Sequence, residues 1–241
     1  MALVTGGGIR VGAAITRALA DAGATVAIHH QRSAREARAL ARAIERRGGR
    51  AATFAADLRD GAARAALVAD VRRAFGGLDV LVNNAAGFER RAFETLDEAA
   101  VASMMALNFE APLQLTRHAL PALRRRRGVV VNVLDVAAFH AWRGYVHYGA
   151  SKAALAMATR ALALELAPRV RVAGVAPGTV MFPADYPAED RRRIVGSIPL
   201  GRVGRPEDVA AAVLFLATND YVTGTVIAVD GGRLAGSRLP L

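Results

Sequence analysis

Tyr148 and Lys152, which stand four residues apart, are the side chains of this sequence whose types and spacing best suit chemistry. Both fall near the start of a predicted helix, where a spacing of four places them on one face. The reference pKa of a phenol is about 10, too high for easy proton exchange at neutral pH. A neighbouring ammonium favours the phenolate, so we expect Lys152 to lower the pKa of Tyr148. The pair predicts a tyrosine that exchanges a proton with a substrate.

The composition singles out the same lysine. Lysine and arginine together number 32, and Lys152 is the only lysine in the sequence. Arginine is a planar, permanently charged fork, whereas lysine is a compact point charge, so the two are not interchangeable. Tyr145 is a competing acid, but the residue four positions after it is Gly149, which carries no charge. We therefore assign the chemistry to Tyr148 and Lys152, together with Asp135 upstream of them.

A glycine-rich turn at residues 5–12 lies between the first predicted strand and the first predicted helix. Glycine lets the backbone approach a diphosphate, and the start of a helix offers free N–H donors and a positive dipole end. A plain tight turn is the alternative interpretation. The position of this turn, directly after the first strand, predicts a dinucleotide site.

The end of the second predicted strand indicates which dinucleotide binds. NAD-dependent enzymes usually place a carboxylate there for the ribose 2′-hydroxyl, but this chain has His30, Arg32 and Ser33 and no acid. A cation and a hydroxyl at the start of a helix suit a 2′-phosphate, which predicts NADPH. The alternative is that Arg32 is only solvated and Ser33 only caps the helix.

Two further loops fit the same cleft. Asp57 and Leu58 follow the third predicted strand, where a carboxylate can accept a hydrogen bond from the adenine amino group. Asn84 and Ala85 follow the fourth strand, among small residues that let the backbone lie against a cofactor. Either loop taken alone could be an ordinary connection.

Short β-branched runs alternate with alanine-rich amphipathic segments along the whole chain. Strands are predicted near 3–5, 25–29, 51–55, 80–82, 129–134, 170–175 and 226–229, and helices near 11–21, 34–47, 62–75, 96–126, 148–166 and 206–216. This alternation predicts an α/β fold: one doubly wound Rossmann domain over residues 1–241, with a parallel seven-stranded sheet and helices on both faces. Pro112 should bend or break the long fourth helix. The polar residues 184–193 interrupt the alternation, and about 181–195 should form a mobile lobe over the substrate.

The composition of the chain argues against several classes of function. The formal net charge of +11 could suit nucleic acid, but the arginines fall on predicted solvated helix faces and aromatic residues are only 5%, with none interleaved to stack bases. The absence of cysteine excludes disulfides and thiolate chemistry. No apolar run approaches the roughly 18 residues of a membrane span, and residues 1–5 do not read as a signal peptide. We predict a cytoplasmic protein with a small-molecule substrate, no nucleic-acid or membrane partner, and no metal site.

These motifs together resemble the classical short-chain dehydrogenase/reductase family, from Ala2 to about Arg233. The resemblance implies that Tyr148 is the acid, that Lys152 also holds the nicotinamide ribose, and that Asn108 supports a proton-relay water. It implies a homotetramer as well. The cofactor contacts that we predict by position are Gly6, Arg10, Val11, His30, Arg32, Ser33, Asp57, Leu58, Asn84, Ala85, Tyr148, Lys152, Pro177 and Gly178.

Two departures from the common family pattern are informative: Arg10 replaces an expected glycine, and Asp135 replaces an expected serine thirteen residues before the tyrosine. An aspartate suits a substrate with N–H groups or a proton delivered to nitrogen. Both departures resemble the pteridine reductase branch, which includes dihydromonapterin reductases. That resemblance implies that Arg10 lies near the cofactor phosphates and the pterin, and that Phe88 stacks on the pterin. That branch often has serine where this chain has Ala86, and Thr179 and Val180 need not match its pocket.

Three functions are compared. The leading hypothesis is NADPH-dependent reduction of a pterin or dihydropterin, with substrate contacts from Arg10, Phe88, Asp135 and Tyr148. The alternative enzyme is an NADPH-dependent carbonyl reductase acting on a 3-oxoacyl thioester, a sugar or a xenobiotic ketone, which Asp135 and Arg10 disfavour. The third is a non-catalytic cofactor-sensing protein, which the intact pair of Tyr148 and Lys152 disfavours.

Overall fold

Seven parallel strands form one sheet in the order β3-β2-β1-β4-β5-β6-β7. The computed structural model describes residues 1–182 and 186–236. The strands are β1 (Ala2–Val4), β2 (Val26–His30), β3 (Ala51–Ala55), β4 (Val80–Asn83), β5 (Val129–Val133), β6 (Arg171–Pro177) and β7 (Val226–Val229). With helices on both of its faces, this sheet confirms the predicted doubly wound α/β fold.

The helices of the described residues flank the sheet. They are α1 (Arg10–Asp21), α2 (Ala34–Arg46), α3 (Gly61–Phe75), α4 (Glu98–Met105), α5 (Ala111–Arg126), α6 (Val146–Leu166), α7 (Ala188–Ser197) and α8 (Pro206–Thr218). None of these helices has both the length and the apolar character that crossing a membrane requires.

Side chains that alternate along each strand build a separate core on each face of the sheet. Val4 and Ile28 pack on one face with residues of α1, α2 and α8. Leu3 and Leu81 pack on the other face with residues of α3, α5 and α6. Because both faces are covered, the central strands are nearly continuous apolar runs, and all residues of β5 are buried, including Asn132.

The long fourth helix predicted for 96–126 is divided in two. A π-helical turn at Ala106–Glu110 separates α4 from α5, and the N–H of Ala111 donates to the carbonyl of Ala106. Pro112 has no N–H, so it cannot give the carbonyl of Asn108 the hydrogen bond of a regular α-helix. The predicted interruption is present, but it lies in the turn before the proline.

The polar segment near 184–193 contains a helix that the sequence analysis did not predict. Helix α7 begins after Pro187, with Glu189 and Asp190 in its first turn, where acids complement the helix dipole. None of its residues is fully buried, so it lacks the apolar stripe by which the other helices are recognised. Residues 183–185 of the predicted lobe lie outside the described residues, and its mobility and its role over the substrate stay predictions.

The strand order places the site. Successive strands run outward from β1 to β3 on one side and from β4 to β7 on the other, so the direction reverses between β1 and β4. A crevice forms at the carboxyl ends of these two strands, where doubly wound folds bind ligands. The glycine turn follows β1 and the Asn84 loop follows β4, so both open onto this crevice.

Candidate active site

Asp135 and Tyr148 form the polar centre of the site. Asp135 follows β5 and begins a short 3₁₀ turn, where its Oδ1 accepts from the N–H of Ala137 at 2.8 Å. Its Oδ2 accepts from the hydroxyl of Tyr148 at 2.9 Å. One carboxylate oxygen therefore fixes the group to the backbone, while the other holds the tyrosine. Tyr148 is in the first turn of α6 and is only 4% exposed.

Lys152 lies beneath this pair and is almost completely buried. Its Nζ donates to the carbonyl of Val133 at 2.9 Å and lies 5.9 Å from the centroid of the Tyr148 ring. Burial lowers the pKa of Lys152 to about 8, although the negative charge of Asp135 opposes that effect. The ammonium has three hydrogens, so one bond to Val133 leaves donors for a ribose hydroxyl.

The expected lowering of the Tyr148 pKa by Lys152 is wrong for this structure. Burial of the phenol raises the pKa of Tyr148, and the charge and hydrogen bond of Asp135 raise it further. Burial also raises the pKa of Asp135, against the opposing effects of its bonds from Ala137 and Tyr148 and of the charge of Lys152. Tyr148 is thus a protonated donor whose hydrogen bond goes to Asp135.

The side chain of Asn108 connects the loop after β4 to helix α6. Its Oδ1 accepts from the N–H of Gly87 at 2.8 Å, and its Nδ2 donates to the carbonyl of Gly87 and to Ser151 Oγ, each at 3.0 Å. The Ser151 hydroxyl in turn donates to the carbonyl of Tyr148 at 2.7 Å. The side chain thus fastens the loop after β4 to the helix that carries Tyr148. The role of Asn108 in supporting a proton-relay water stays a prediction.

The glycine turn and the β4 loop are fastened to each other. The hydroxyl of Thr5 accepts from the N–H groups of Asn84 and Ala85 at 2.9 and 3.0 Å, and Asn84 Nδ2 donates to the carbonyl of Thr5 at 2.8 Å. Gly6 has a φ of +59°, and a Cβ at Gly12 would collide with the carbonyl of Gly6. The close approach of α1 to this turn therefore requires glycine, and it leaves a cradle that suits a diphosphate.

His29, which was not among the predicted site residues, connects this turn to the next loop. Its Nδ1 accepts from the N–H of Gly6 at 3.0 Å, and its Nε2 lies 3.1 Å from the carbonyl of Ala56. The two partners require a neutral imidazole with its proton on Nε2. Burial lowers the pKa of His29 to about 4. The only sequence signal was a histidine at the end of a buried strand, next to the residues assigned to the 2′-phosphate.

The residues predicted for the 2′-phosphate lie at the end of β2. Arg32 is exposed, and Ser33 precedes α2 without a capping hydrogen bond from its side chain. Ser33 thus occupies the N-cap position that the alternative interpretation gave it, but its hydroxyl makes no capping bond. His30 is buried, and its Nδ1 has no hydrogen-bond partner in the described part of the chain.

The loop of Asp57 and Leu58, predicted to contact adenine, is held by a hydrogen bond from Arg64, a residue that was not predicted for the site. Arg64 is buried in α3, and its Nη1 donates to the carbonyl of Leu58 at 2.7 Å. Leu58 itself packs in the core, whereas the side chain of Asp57 is 47% exposed and accepts from the N–H of Arg59. Asp57 is accordingly the member of the pair whose side chain is open to a ligand.

Pro177 and Gly178, the predicted contacts at the end of β6, stand where the sheet meets its last turn. Pro177 is the final residue of the strand, and the N–H of Gly178 donates to the carbonyl of Val229 at 3.0 Å. A Cβ at Gly178 would lie 2.9 Å from the Asp230 backbone. Close packing of this loop on the turn after β7 therefore explains the glycine.

Arg10 and Val11 begin α1, and Arg10 has a φ of +51°. Arg10 is exposed and lines a groove of about 560 Å³ together with Arg17, Glu36 and Met181. Neither Tyr148 nor Asp135 lines this groove. The structure therefore does not bring Arg10 onto the catalytic pair, and its contact with a substrate stays a prediction.

Aromatic side chains form a wall beside Tyr148. Phe88 stacks on Tyr145 with ring centroids 4.9 Å apart at 22°, and meets Tyr148 edge-on at 4.9 Å and 85°. Trp142 packs edge-on against Tyr145 at 5.8 Å. Phe88 is 60% exposed, so part of an apolar ring stands open beside the ring of Tyr148. The arrangement can stack a flat ring within reach of a proton donor.

Comparisons with known proteins cover nearly the whole chain. Residues 8–233 match the family model described as enoyl-(acyl carrier protein) reductase. The chain is 37% identical to 3beta-hydroxysteroid dehydrogenase 1 of Eggerthella lenta, over 95% of this chain and 92% of that protein. It is 34% identical to the 3-oxoacyl-(acyl-carrier-protein) reductase FabG of Thermotoga maritima, over 95% and 96%. The crystal structure of FolM alternative dihydrofolate reductase 1 from Brucella canis, complexed with NADP, gives a TM-score of 0.92 at 36% identity, over 99% and 95%.

Proposed function

The chain belongs to the classical short-chain dehydrogenase/reductase family and is an NADP-dependent oxidoreductase, and we propose that it reduces a pterin or dihydropterin with NADPH. The observation that carries the proposal is the hydrogen bond of 2.9 Å between the hydroxyl of Tyr148 and Asp135. A carboxyl group at this position suits a reaction that delivers a proton to a ring nitrogen. The name of FolM, an alternative dihydrofolate reductase, supports the proposal, because dihydrofolate contains a reduced pterin ring.

The cleft fits NADPH. The glycine cradle around Gly6 would hold the diphosphate, and the exposed Arg32 with the uncommitted hydroxyl of Ser33 would hold the 2′-phosphate. Lys152 would hold the nicotinamide ribose with the donors that its bond to Val133 leaves free. When bound, NADPH supplies the hydride that reduces a ring carbon.

Asp135 and Tyr148 act together in moving the proton. While Asp135 is ionised, the hydroxyl of Tyr148 donates its hydrogen bond to the carboxylate. The tyrosine proton is then not directed at a substrate. Once Asp135 is protonated, its O–H can donate to Tyr148 Oη, and the tyrosine's own proton is free to move to a substrate nitrogen. The raised pKa of Asp135, which comes from burial, brings the protonated form within a more neutral pH range.

Phe88 and Tyr145 orient the ring. Their stacked faces lie directly beside Tyr148, and a flat heterocycle packed on Phe88 would present its edge to the tyrosine hydroxyl. Offset stacking of aromatic rings contributes about 0.5–1.5 kcal/mol beyond the burial of their surface. A compact aliphatic ketone would gain little from this wall, so the wall favours a flat aromatic substrate.

A carbonyl reductase is the second candidate. It is favoured by relatives whose names describe the reduction of a 3-oxoacyl group and the oxidation of a hydroxysteroid. Tyr148 and Lys152 would serve that reaction equally well. An ionised carboxylate at Asp135 would oppose it, because negative charge develops on the carbonyl oxygen as it is reduced. A serine hydroxyl would instead donate a hydrogen bond to that oxygen.

Replacing Asp135 by serine separates the two candidates. NADPH oxidation should be measured for native enzyme and Asp135→Ser with dihydrobiopterin, dihydrofolate and a panel of ketones. Pterin reduction should fall by at least about a hundredfold, the loss typical of removing a positioned acid, while any ketone reduction should hold steady or rise. Assaying both substrates on one preparation controls for misfolding. Undiminished pterin turnover in Asp135→Ser, or a native enzyme that reduces ketones and no pterin, would show the proposal to be wrong.

A further inference from the structure

The aromatic wall ends at an arginine that the catalytic scheme does not use. Arg233 lies in the turn after β7, and its guanidinium carbon lies 5.4 Å from the centroid of the Trp142 ring. Its Nη1 donates to the hydroxyl of Thr179 at 3.1 Å. Trp142 packs on Tyr145, which stacks on Phe88, so Arg233 joins the wall through Trp142 and not through Phe88. The charge of Arg233 also acts on Asp135, whose pKa it lowers.

Within residues 1–182 and 186–236, Arg233 has no acidic partner at salt-bridge distance. Asp230, the nearest acid in sequence, uses both carboxylate oxygens on the backbone: one accepts from the N–H of Gly232 at 2.9 Å and the other from Leu234 at 2.7 Å. Arg233 is half-buried, and its hydrogen bond to Thr179 is to a neutral group. The charge of Asp135 acts on Arg233 only from beyond salt-bridge distance. A partly desolvated cation without a direct ion pair is unfavourable, and a ligand that carries an anion would remove that cost.

The chemistry of the side chain indicates the ligand group. The guanidinium lies over the Trp142 ring, and within the described residues its one hydrogen bond, to Thr179, uses a single N–H. A guanidinium has five N–H donors in a planar fork that matches the geometry of a carboxylate or a phosphate. Most of these donors are therefore left for a ligand that binds along the wall.

We propose that Arg233 is a specificity-determining residue that binds an anionic substituent of the substrate, a carboxylate or a phosphate carried at the end remote from the reducible ring. The inference rests on the proposed function in one respect, namely that the substrate occupies the cleft beside Tyr148 and Phe88. Among pterins, those with an acidic side chain should be better substrates than those with a neutral one. Among other substrates, the acid should bind better than its amide or ester.

The only tryptophan of the chain, Trp142, reports directly on this end of the cleft. NADP⁺-loaded protein should be titrated with benzoate and with benzamide, a neutral molecule of similar shape, while tryptophan fluorescence is recorded. Benzoate should bind about ten- to a hundredfold more tightly, as a charge-assisted hydrogen bond predicts.

Arg233→Met should abolish the preference, and Arg233→Lys should keep part of it. Arg143→Met removes the same charge from an exposed position next to Trp142 and should keep all of it. Equal affinities in the native protein, or a preference that survives in Arg233→Met, would overturn the inference.

A kinetic comparison separates this inference from the proposed function. Arg233→Met should lower kcat/KM for dihydrofolate, which has an acidic side chain, about ten- to a hundredfold more than for the neutral dihydrobiopterin, chiefly through KM. Losing the charge of Arg233 also changes the pKa of Asp135, and this change affects both substrates equally. The loss of activity with dihydrobiopterin therefore serves as the control for it. If the native enzyme reduces neither pterin while the benzoate preference depends on Arg233, the proposed function is wrong and the inference stands. If both pterins are reduced and Arg233→Met affects them equally, the inference is wrong and the proposed function stands.

Discussion

Acid should loosen the cofactor cradle through His29. The neutral ring of His29 accepts a hydrogen bond from Gly6 and donates one to the carbonyl of Ala56, so it ties the glycine turn to the adenine loop. A protonated imidazole has no acceptor, and the bond from Gly6 would then be lost. The test lowers the pH and compares the resulting loss of stability in the native protein and in His29→Asn. The asparagine keeps an acceptor near the position of Nδ1 but does not titrate.

The magnitude follows from the two pKa values of His29. The ordinary pKa is 6.5, and burial lowers it to about 4 in the folded protein. Between these values the unfolded chain binds a proton that the folded chain does not, so the stability contributed by His29 is complete above pH 6.5 and is lost as the pH falls towards 4. One pKa unit corresponds to about 1.36 kcal/mol. By pH 4 the loss in the free energy of unfolding should be about 3 kcal/mol.

Urea unfolding at pH 7.5 and pH 4, followed by circular dichroism at one protein concentration, measures this loss. Between the two pH values the native protein should lose about 3 kcal/mol more than His29→Asn. Protonation of carboxylates affects both proteins alike and cancels in the difference. His140→Asn removes an exposed histidine and should behave like the native protein. If His29→Asn loses as much stability as the native protein, His29 is not the buried neutral group described above.

Three further predictions concern the cofactor and the proton. Arg32→Ala should weaken NADPH binding by about ten- to a hundredfold, as expected for a charge-assisted hydrogen bond, and leave NADH use unchanged; equal effects on both cofactors would remove Arg32 from the 2′-phosphate site. Lys152→Arg should lower turnover by about a hundredfold, as a misplaced group does, with an unchanged circular dichroism spectrum; near-normal rates would make the lysine incidental. Pterin turnover should fall as the pH rises through the pKa of Asp135, which lies above the ordinary 3.8, and Asp135→Asn should remove that dependence from the pH–rate profile.

The sheet was predictable because its strands are apolar runs separated by amphipathic helices. Strand β3 has the predicted bounds, and α3 and α6 begin within two residues of them. Helix α7 could not be recognised in the same way. Its sequence places arginines and acids where a packed helix has apolar residues, and none of its residues is fully buried. Hydrophobic periodicity detects only those helices that pack a face against the core.

The residues around the reacting atoms were predictable from their spacing, but their electrostatics were not. Asp135 and Tyr148 were assigned from motif positions, and the structure places them within hydrogen-bond distance. The direction in which the pKa of Tyr148 shifts depends on how deeply the phenol is buried and on which group its hydroxyl bonds to. Neither can be read from the sequence. The bonds made by His29 and Ser151 escaped prediction for the same reason, since their partners are backbone groups or residues far along the chain.

The placement of Lys152 decides how Tyr148 can work. The ammonium donates to the Val133 carbonyl and lies 5.9 Å from the centre of the phenol ring, whereas the Asp135 carboxylate lies 2.9 Å from the hydroxyl. Burial and the carboxylate bonded directly to the hydroxyl raise the pKa of Tyr148, so both favour the protonated phenol. A serine at position 135 could donate and accept at any pH, but an aspartate can return a proton to Tyr148 only when it is itself protonated. A substrate whose ring nitrogen attracts that proton fits this condition better than a ketone, whose oxygen would meet the carboxylate as negative charge develops.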